Sequence, residues 1–277
     1  MAVSALFGRN LPACLEQIER ILVQARRCGA KLVVLPESAL GGYLYEPHVA
    51  GAPAPCATPP ALRRDGEEIA RVARMAGDIV VCLGYTEDAP GGPYSSAVCV
   101  SGDGVLGHHR KVHLPAGERG IFGAGSGFRA FDTPLGRIGM LVCYDKTFPE
   151  AARQLALGGA GLIASLSAWP ICRVDPSPWT RRDLQVRHFN LLDQTRALEN
   201  QVVWVSSNQA GRFGRLRFPG QAKVVDPRGR VLAKTGSRPG AAVARVDAPG
   251  VVAAARDRLS YLDDRRPLAY ADPSAAA

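Results

Sequence analysis

The sequence predicts an α/β fold in which two sheets pack face to face, with helices on the outside. Four times along the chain, a segment with helical periodicity is followed by a short apolar, strand-like run, twice before and twice after a central group of hairpins. The two halves share a local pattern, because a Gly-Ala turn precedes an apolar strand at residues 29–35 and again at residues 159–166. Turn residues at 101–104 and 133–136 indicate the hairpins.

The composition indicates a single domain spanning residues 1–277. The chain has 277 residues, of which 47% are hydrophobic and 21% charged, which is enough to bury a sizeable core. Its apolar runs all fall short of the roughly 20 residues that span a bilayer. Residues 1–10 lack the basic start and the apolar stretch of a signal peptide. We therefore expect no membrane association and no export signal.

Cysteine usage indicates a reducing compartment. The seven cysteines are odd in number and form no C-x-x-C pair. This pattern argues against a disulfide framework and against a zinc site, and it favours the cytoplasm. We expect no metal ion and no cofactor.

The net charge of +9 raises the possibility of a nucleic-acid partner. The arginines are scattered in small groups, however, and only 6% of the residues are aromatic, so that stacking side chains are not interleaved with them. A solvated cationic surface explains the charge more simply. We expect no nucleic-acid partner.

The first half of the chain contains three strands and two helices before its hairpins. The expected elements are a strand at residues 2–7, a helix at 15–25 closed by Gly29, a strand at 31–35, a helix at 62–75 and a strand at 79–84. Residues 41–60 are rich in glycine, proline and alanine and form a loop, either the wall of a pocket or a plain surface connection.

The second half is expected to repeat the helix–strand alternation after the hairpins. The expected elements are hairpins at 95–100 with 105–110 and at 128–131 with 138–142, a helix at 149–157, a strand at 161–166, a helix at 184–198, a strand at 202–205, a hairpin at 222–226 with 231–234, a strand at 241–246 and a polar tail at 256–270.

The stretch around Cys143 organises the candidate chemistry. An apolar run at residues 138–142 delivers Cys143 at the carboxyl end of a buried strand. Thr147 and Glu150 have the spacing of a capping box, with Pro149 in the first turn of the following helix. A thiol on a strand-to-helix turn is a candidate nucleophile. A small buried hydrophobic residue is the alternative interpretation.

Two further strand-like runs end in charged residues. Glu37 follows residues 31–35 through Pro36, and Lys111 follows the run at residues 105–110. A carboxylate, an ammonium and a thiol form a chemical set. The carboxylate is a base for the thiol, and the ammonium stabilises a thiolate or an oxyanion.

At these positions the sequence resembles the nitrilase superfamily of carbon–nitrogen hydrolases. The blocks that carry the resemblance are Leu35-Pro36-Glu37 with Gly42-Tyr43, Arg110-Lys111-Val112-His113-Leu114, Cys143-Tyr144-Asp145 with Phe148-Pro149-Glu150, Arg196-Ala197-Leu198-Glu199-Asn200, Ser207-Asn208-Gln209-Ala210-Gly211, Gly220-Gln221-Ala222-Lys223-Val224-Val225-Asp226-Pro227 and Arg265-Arg266-Pro267. The resemblance implies a four-layer α-β-β-α sandwich of two mixed sheets flanked by helices, with Glu37, Lys111 and Cys143 as the catalytic triad. It also implies a homodimer or higher homo-oligomer, with residues 256–277 as a tail at the subunit contact.

The resemblance also implies roles for residues beside the triad. Amidase-like members carry a second glutamate near the position of Glu118, which would hold the lysine and position the substrate, whereas an exposed loop carboxylate is the alternative. Tyr144 and Trp169 are candidate substrate-binding walls of the pocket, and core packing is the alternative for both. His113 is expected to support its loop by hydrogen bonding rather than to bind a metal.

The predicted function is a thiol hydrolase that cleaves the carbon–nitrogen bond of a small amide and releases ammonia through a cysteine thioester. Cys143-Tyr144-Asp145 resembles the amidase and carbamoyl-amidase branches of the family, whereas nitrilases typically carry Cys-Trp-Glu. A nitrilase, an N-carbamoyl-amide hydrolase and a catalytically silent binding or scaffold subunit are the alternatives. Arg173, Arg181, Arg182 and Arg187 either clamp a substrate carboxylate or belong to the charged surface.

Overall fold

The computed structural model describes residues 1–44 and 58–270. Most of the loop predicted at residues 41–60, and the end of the predicted tail beyond residue 270, lie outside the described residues. Within the described chain, no helix combines the length and the apolar character that crossing a bilayer requires.

Helices and strands alternate much as the sequence predicts. The elements are β1 (Ala2–Ala5), α1 (Leu11–Arg27), β2 (Leu32–Val34), β3 (Ala61–Leu62), α2 (Glu67–Ala76), β4 (Val80–Ala89), β5 (Gly92–Ser101), β6 (Gly104–Arg110), β7 (Phe131–Thr133), β8 (Gly136–Val142), α3 (Pro149–Leu157), β9 (Leu162–Ser167), α4 (Leu184–Asn200), β10 (Val203–Phe213), β11 (Leu216–Pro219), β12 (Lys223–Val225), β13 (Val231–Lys234), β14 (Gly240–Ala242) and α5 (Ala248–Arg258). Short 3₁₀ turns lie at Cys143–Thr147, Thr180–Arg182 and Pro267–Tyr270.

The main strands pair in the order β6-β5-β4-β2-β1-β10-β9-β8-β7. The inner pairs, including β1 with β2 and β9 with β10, are parallel, whereas the hairpins β4-β5-β6 and β7-β8 are antiparallel. Parallel pairing of β1 with β10, which sets Ser4 opposite Asn208, joins the two halves. The two predicted mixed sheets are therefore continuous along this seam.

Side-chain alternation along the strands builds the four layers. Successive residues of a strand point to opposite faces, so that Val33 packs with α1 and α2 whereas Val34 packs in the centre, between the two halves of the sheet. In the other half, Leu141 packs with α3 and α4, and Val142 faces the centre. Helices thus cover both outer faces, and the order of layers is α-β-β-α, as predicted.

Helix α2 begins five residues later than the sequence predicts. Ala61 and Leu62 pair with β4 as a short strand, and an ion pair of 2.8 Å between Arg63 and Asp65 occupies the turn that follows. The helix starts only after Gly66, its N-cap. The expected helix at 62–75 merged two elements because Leu62 fits the same apolar period as the helix.

The predicted capping box at Thr147 is wrong. The N-cap of α3 is Phe148, without a side-chain hydrogen bond, because the 3₁₀ turn from Cys143 leads directly into the helix and Phe148 N–H already donates to Asp145 C=O over 3.1 Å. Pro149 does occupy the first helical turn, as expected.

The polar tail predicted from residue 256 begins inside a helix. Asp247 caps α5 by accepting from Gly250 N–H, and the helix runs to Arg258. Its preceding strand, β14, covers only the start of the range predicted as a strand at 241–246.

Candidate active site

Glu37 lies directly beyond β2, at the carboxyl end of the parallel strands, and is fully buried. Its Oε2 accepts from Ala168 N–H over 2.8 Å, and its Oε1 lies 3.2 Å from the Ser95 hydroxyl. Gly84 of β4 approaches this backbone so closely that a Cβ there would lie 2.7 Å from Glu37 Cα. The carboxylate is therefore held by Ser95 of β5 and by Ala168 just after β9, and Gly84 of β4 crowds its backbone, so it has little freedom to turn.

Lys111 follows β6 and is also fully buried. Its ammonium donates to Glu37 Oε1 over 2.9 Å and to Glu118 Oε1 over 2.7 Å. Burial alone would lower the pKa of Lys111, but the charges of Glu118 and Glu37 outweigh it and hold this pKa above its ordinary value. The lysine is consequently a permanent cation between two carboxylates.

Glu118 is buried rather than exposed on its loop. Besides Lys111, it accepts a 2.5 Å hydrogen bond from the Tyr43 hydroxyl, a contact that the sequence did not suggest. Burial raises the pKa of Glu118, Lys111 lowers it and Glu37 raises it further, and the net direction is upward. Its second oxygen, Oε2, is buried and has no hydrogen-bond partner among the described residues.

Cys143 sits at the start of the 3₁₀ turn with a φ of 49°, a left-handed backbone conformation that is uncommon outside glycine. Burial raises the pKa of its thiol well above the usual value, and the charges of Glu37 and Glu118 raise it further. Lys111 and a backbone hydrogen bond with Ala168 act in the opposite direction. The charges of all three predicted partners therefore act on this thiol, which rests in its neutral form.

Asp145 ties the cysteine turn to the lysine strand. Its Oδ1 accepts from the N–H groups of Val112 and His113 over 3.2 and 2.9 Å, directly after Lys111. Its Oδ2 accepts from Val142 N–H over 3.2 Å, directly before the cysteine. Both imidazoles beside it, of His109 at 2.9 Å and His113 at 3.0 Å, also contact this carboxylate. Sequence reasoning placed Asp145 in a motif but gave it no role, although His113 supports its loop as expected.

A family model described as carbon–nitrogen hydrolase matches residues 7–256. The chain belongs to the carbon–nitrogen hydrolase family. It is 32% identical over 217 residues to a protein of Pyrococcus abyssi named nitrilase, a match that covers 77% of this chain and 75% of that one. It is 33% identical over 237 residues to an (R)-stereoselective amidase of a Pseudomonas species, covering 85% and 79%. The structure of a carbon–nitrogen hydrolase from Helicobacter pylori G27 superposes with a TM-score of 0.82 at 25% identity, covering 97% of this chain and 95% of that one.

In this carbon–nitrogen hydrolase, Tyr144 and Trp169 have different surroundings. Trp169 follows β9 and is buried, with its backbone fixed by Asn208, and its ring packs edge-on against Phe189 at 6.0 Å between centroids. Its neighbour Ala168 contacts Glu37, so the ring lies one residue from the site. Tyr144 is half-buried and packs edge-on against Phe148 at 5.2 Å.

A second buried charge cluster, unforeseen from the sequence, lies behind the cysteine turn. Asp193 of α4 accepts from Lys146 over 2.8 Å, from Trp204 Nε1 over 2.9 Å and from Lys223. All three charged side chains are fully buried, and both ammonium groups lie over the Phe189 ring. Burial lowers the pKa of Lys223 to about 7 and also lowers that of Lys146, despite the attraction of Asp193.

The arginines considered as a carboxylate clamp are exposed. This holds for Arg173, Arg181, Arg182 and Arg187. Within residues 1–44 and 58–270, no three His, Cys, Asp or Glu side chains cluster in a way that could hold a metal ion. The groups that the site itself brings together are a thiol, a lysine and two carboxylates.

Proposed function

We propose that this carbon–nitrogen hydrolase cleaves a small amide at Cys143. The observation that carries the proposal is the unpaired, buried Oε2 of Glu118, next to the ion pair with Lys111. The amide group of a substrate brings an N–H₂ donor that would satisfy this oxygen, whereas a nitrile brings no donor. The 33% identity to a stereoselective amidase supports the same choice.

The arrangement supports a covalent mechanism in two halves. Because the resting thiol is neutral, its proton passes to Glu37 as the sulfur attacks the carbonyl carbon, and the oxygen becomes an oxyanion beside the Lys111 ammonium. Glu37 then donates the proton to the nitrogen as the carbon–nitrogen bond breaks. Ammonia departs, and the acyl group stays on the Cys143 sulfur as a thioester. In the second half Glu37 accepts a proton from water as the water oxygen attacks the thioester carbon. The proton then passes to the Cys143 sulfur as the carbon–sulfur bond breaks, and the carboxylic acid leaves.

The deciding measurement is kcat/KM for an amide and the nitrile of the same carbon skeleton. A nitrile leaves the buried glutamate oxygen unpaired, at a cost of about 1–3 kcal/mol, so we expect a preference for the amide of roughly tenfold or more. Equal values or a nitrile preference would overturn the amidase proposal while leaving the family unchanged. Glu118→Gln is the variant to compare with the wild type, because glutamine has the shape of glutamate and lacks its charge.

An N-carbamoyl compound is the second candidate substrate. Its terminal N–H₂ group offers the same donor to Glu118 as a simple amide does. The ammonia-release assay therefore includes aliphatic amides, ω-amides of dicarboxylates and N-carbamoyl amines. Failure of all classes, with Cys143 still open to alkylation, would favour a silent binding subunit instead.

We also propose that the chain forms a homodimer and acts as a single domain in a reducing compartment, the cytoplasm. Leu184, Leu191 and Leu198 recur every seven residues on the outer helix α4 with 50%, 62% and 44% of their surface exposed, which supports a subunit contact there. The cysteines within the described residues are free thiols, which supports the compartment. Light scattering at micromolar concentration tests the dimer, and a Leu191→Glu variant that stays dimeric would remove α4 from the contact.

A further inference from the structure

A cationic cleft of about 250 Å³ opens on the surface beside the end of β6. Its lining includes three arginines, two histidines and a serine hydroxyl, namely Arg64, Arg110, Arg129, His108, His109 and Ser126. This is a concentration of positive charge that the proposed hydrolysis does not use. From the sequence, the net charge of +9 was assigned to a solvated cationic surface. In the structure, part of this charge is concentrated in the cleft.

Two carboxylates compensate part of this charge: Asp145 lies 2.9 Å from His109 Nε2, and Glu87 contacts two other lining residues. It forms a two-pronged pair with Arg110, at 2.8 and 3.0 Å, and lies 3.0 Å from His108 Nε2. Glu87 is buried and also accepts from the Ser96 hydroxyl over 2.8 Å. Arg110 uses only its Nε and Nη2 in this pair, so its Nη1 is not engaged there.

The remaining positive charge of the cleft belongs to Arg64 and Arg129. Neither forms an ion pair with a carboxylate in the part of the chain that the structure describes. The carboxylate next in sequence to Arg64, that of Asp65, is already held by Arg63 through hydrogen bonds of 3.0 and 2.8 Å. Both surplus arginines are exposed and free to turn toward a ligand in the cleft.

The donors match a ligand with several oxygens around a compact centre. Guanidinium groups donate two parallel hydrogen bonds to phosphate or carboxylate oxygens. Three guanidinium groups and a hydroxyl offer more donors than the two oxygens of one carboxylate accept. We propose that this cleft is a binding site for a small multivalent oxyanion of the phosphate class.

The cleft lies next to Asp145, which supports the turn at Cys143–Thr147. Its lining does not include Glu37, Lys111 or Cys143. Its His109 contacts Asp145 through Nε2, and its Arg110 directly precedes Lys111. Binding can be measured without turnover, so that failure of the proposed amidase activity would leave this proposal standing.

Isothermal titration calorimetry at low ionic strength tests the proposal with inorganic phosphate, pyrophosphate and succinate. We expect saturable one-site binding of phosphate and pyrophosphate, with pyrophosphate the tighter, and weaker binding of succinate. The double variant Arg64→Ala/Arg129→Ala should lose about tenfold or more in affinity, because it removes two charge-assisted donors. Both side chains are exposed, so the variant should fold.

A matched control removes two arginines elsewhere. Arg20→Ala/Arg27→Ala changes the net charge equally on the exposed face of α1 and should keep the affinity of the unmodified protein. Equal weakening in both double variants would mean a diffuse cationic surface and would overturn the site. Unchanged binding after loss of Arg64 and Arg129, or absence of saturation, would do the same. Succinate binding as tight as phosphate would overturn the assignment of the ligand class.

Discussion

Replacement of Asp145 by asparagine should damage the site without touching a reacting group. Asparagine has nearly the same shape, but one carboxylate oxygen becomes an N–H₂ donor. In the better of the two amide orientations, the remaining oxygen still accepts from Val112 and His113 N–H. The new donor then faces two groups: His109 Nε2 can accept from it after a change of tautomer, whereas Val142 N–H is itself a donor and becomes unsatisfied in the core.

The magnitude follows from these contacts. One buried N–H without an acceptor costs about 1–3 kcal/mol, and loss of the charge weakens the remaining bonds by about 1 kcal/mol in total. We therefore expect a loss of about 2–4 kcal/mol, which lowers Tm by roughly 3–7 °C in a chain of this size and leaves it folded. Since Val142 directly precedes Cys143, a backbone shift of about 1 Å should lower kcat roughly a hundredfold.

Thermal unfolding and steady-state kinetics on the same preparation provide the assay. The loss should fall on kcat rather than on KM, because Asp145 is fully buried behind the turn. Asp132→Asn is the control, since that carboxylate is 81% exposed in its pair with Arg137, and its Tm and kcat should remain unchanged.

The pH dependence has a definite sign. Burial alone would raise the pKa of Asp145, but hydrogen bonds with His109 and His113 outweigh it and hold this pKa well below its usual range. A depressed pKa contributes stability that is present above the unfolded value of about 4 and is lost as the pH falls. The Tm gap between wild type and Asp145→Asn should therefore narrow below about pH 4. Full activity of the variant, or a gap that widens in acid, would refute this account of the turn.

Three further predictions concern the proposed triad. Cys143→Ala should abolish turnover and leave Tm within a few degrees; substantial residual activity would move the nucleophile to another cysteine. Lys111→Arg should be nearly inactive although it keeps the charge, because a planar guanidinium does not fit the space between Glu37 and Glu118, and a near-normal kcat would show that charge alone suffices. Alkylation of Cys143 by iodoacetamide should accelerate with pH up to at least about pH 9, because burial raises the pKa of the thiol; a plateau below pH 8 would mean a resting thiolate.

Local patterns in the sequence were sufficient for the layered fold and for the ends of the strands. Apolar runs that end in Glu37, Lys111 and Cys143 predict three groups at one edge of a sheet, and the structure places Glu37 in contact with Lys111 at that edge. The continuity of the sheet was not predictable, because parallel pairing of β1 with β10 joins residues about 200 positions apart through backbone contacts alone. Helix α5 was missed since alanine-rich residues 248–258 show no clear apolar stripe.

The supporting contacts were also beyond local pattern. Tyr43 and Glu118 are 75 residues apart, and nothing in either segment indicates that the hydroxyl meets the carboxylate. The supporting role of Asp145 could not be predicted, because its hydrogen-bond donors include backbone N–H groups. Residue identities do not reveal where such groups lie in the fold. The cluster of Lys146, Asp193 and Lys223 comes from three separate elements, each of which alone reads as a solvated charge.

The cluster of Lys146, Asp193 and Lys223 limits the order in which substitutions can accumulate at these three positions. Asp193 brings one negative charge against two lysines, and burial lowers the pKa of both, that of Lys223 to about 7. Lys223→Met would therefore leave a matched pair, whereas Asp193→Leu first would leave two cations facing each other in the core, a loss typically of 3–5 kcal/mol. A lysine of the cluster can thus be replaced first, as in Lys223→Met, and the remaining lysine and Asp193 can then be replaced only together. The epistasis in a deep mutational scan should reveal this hierarchy as a one-way sequence of tolerated steps.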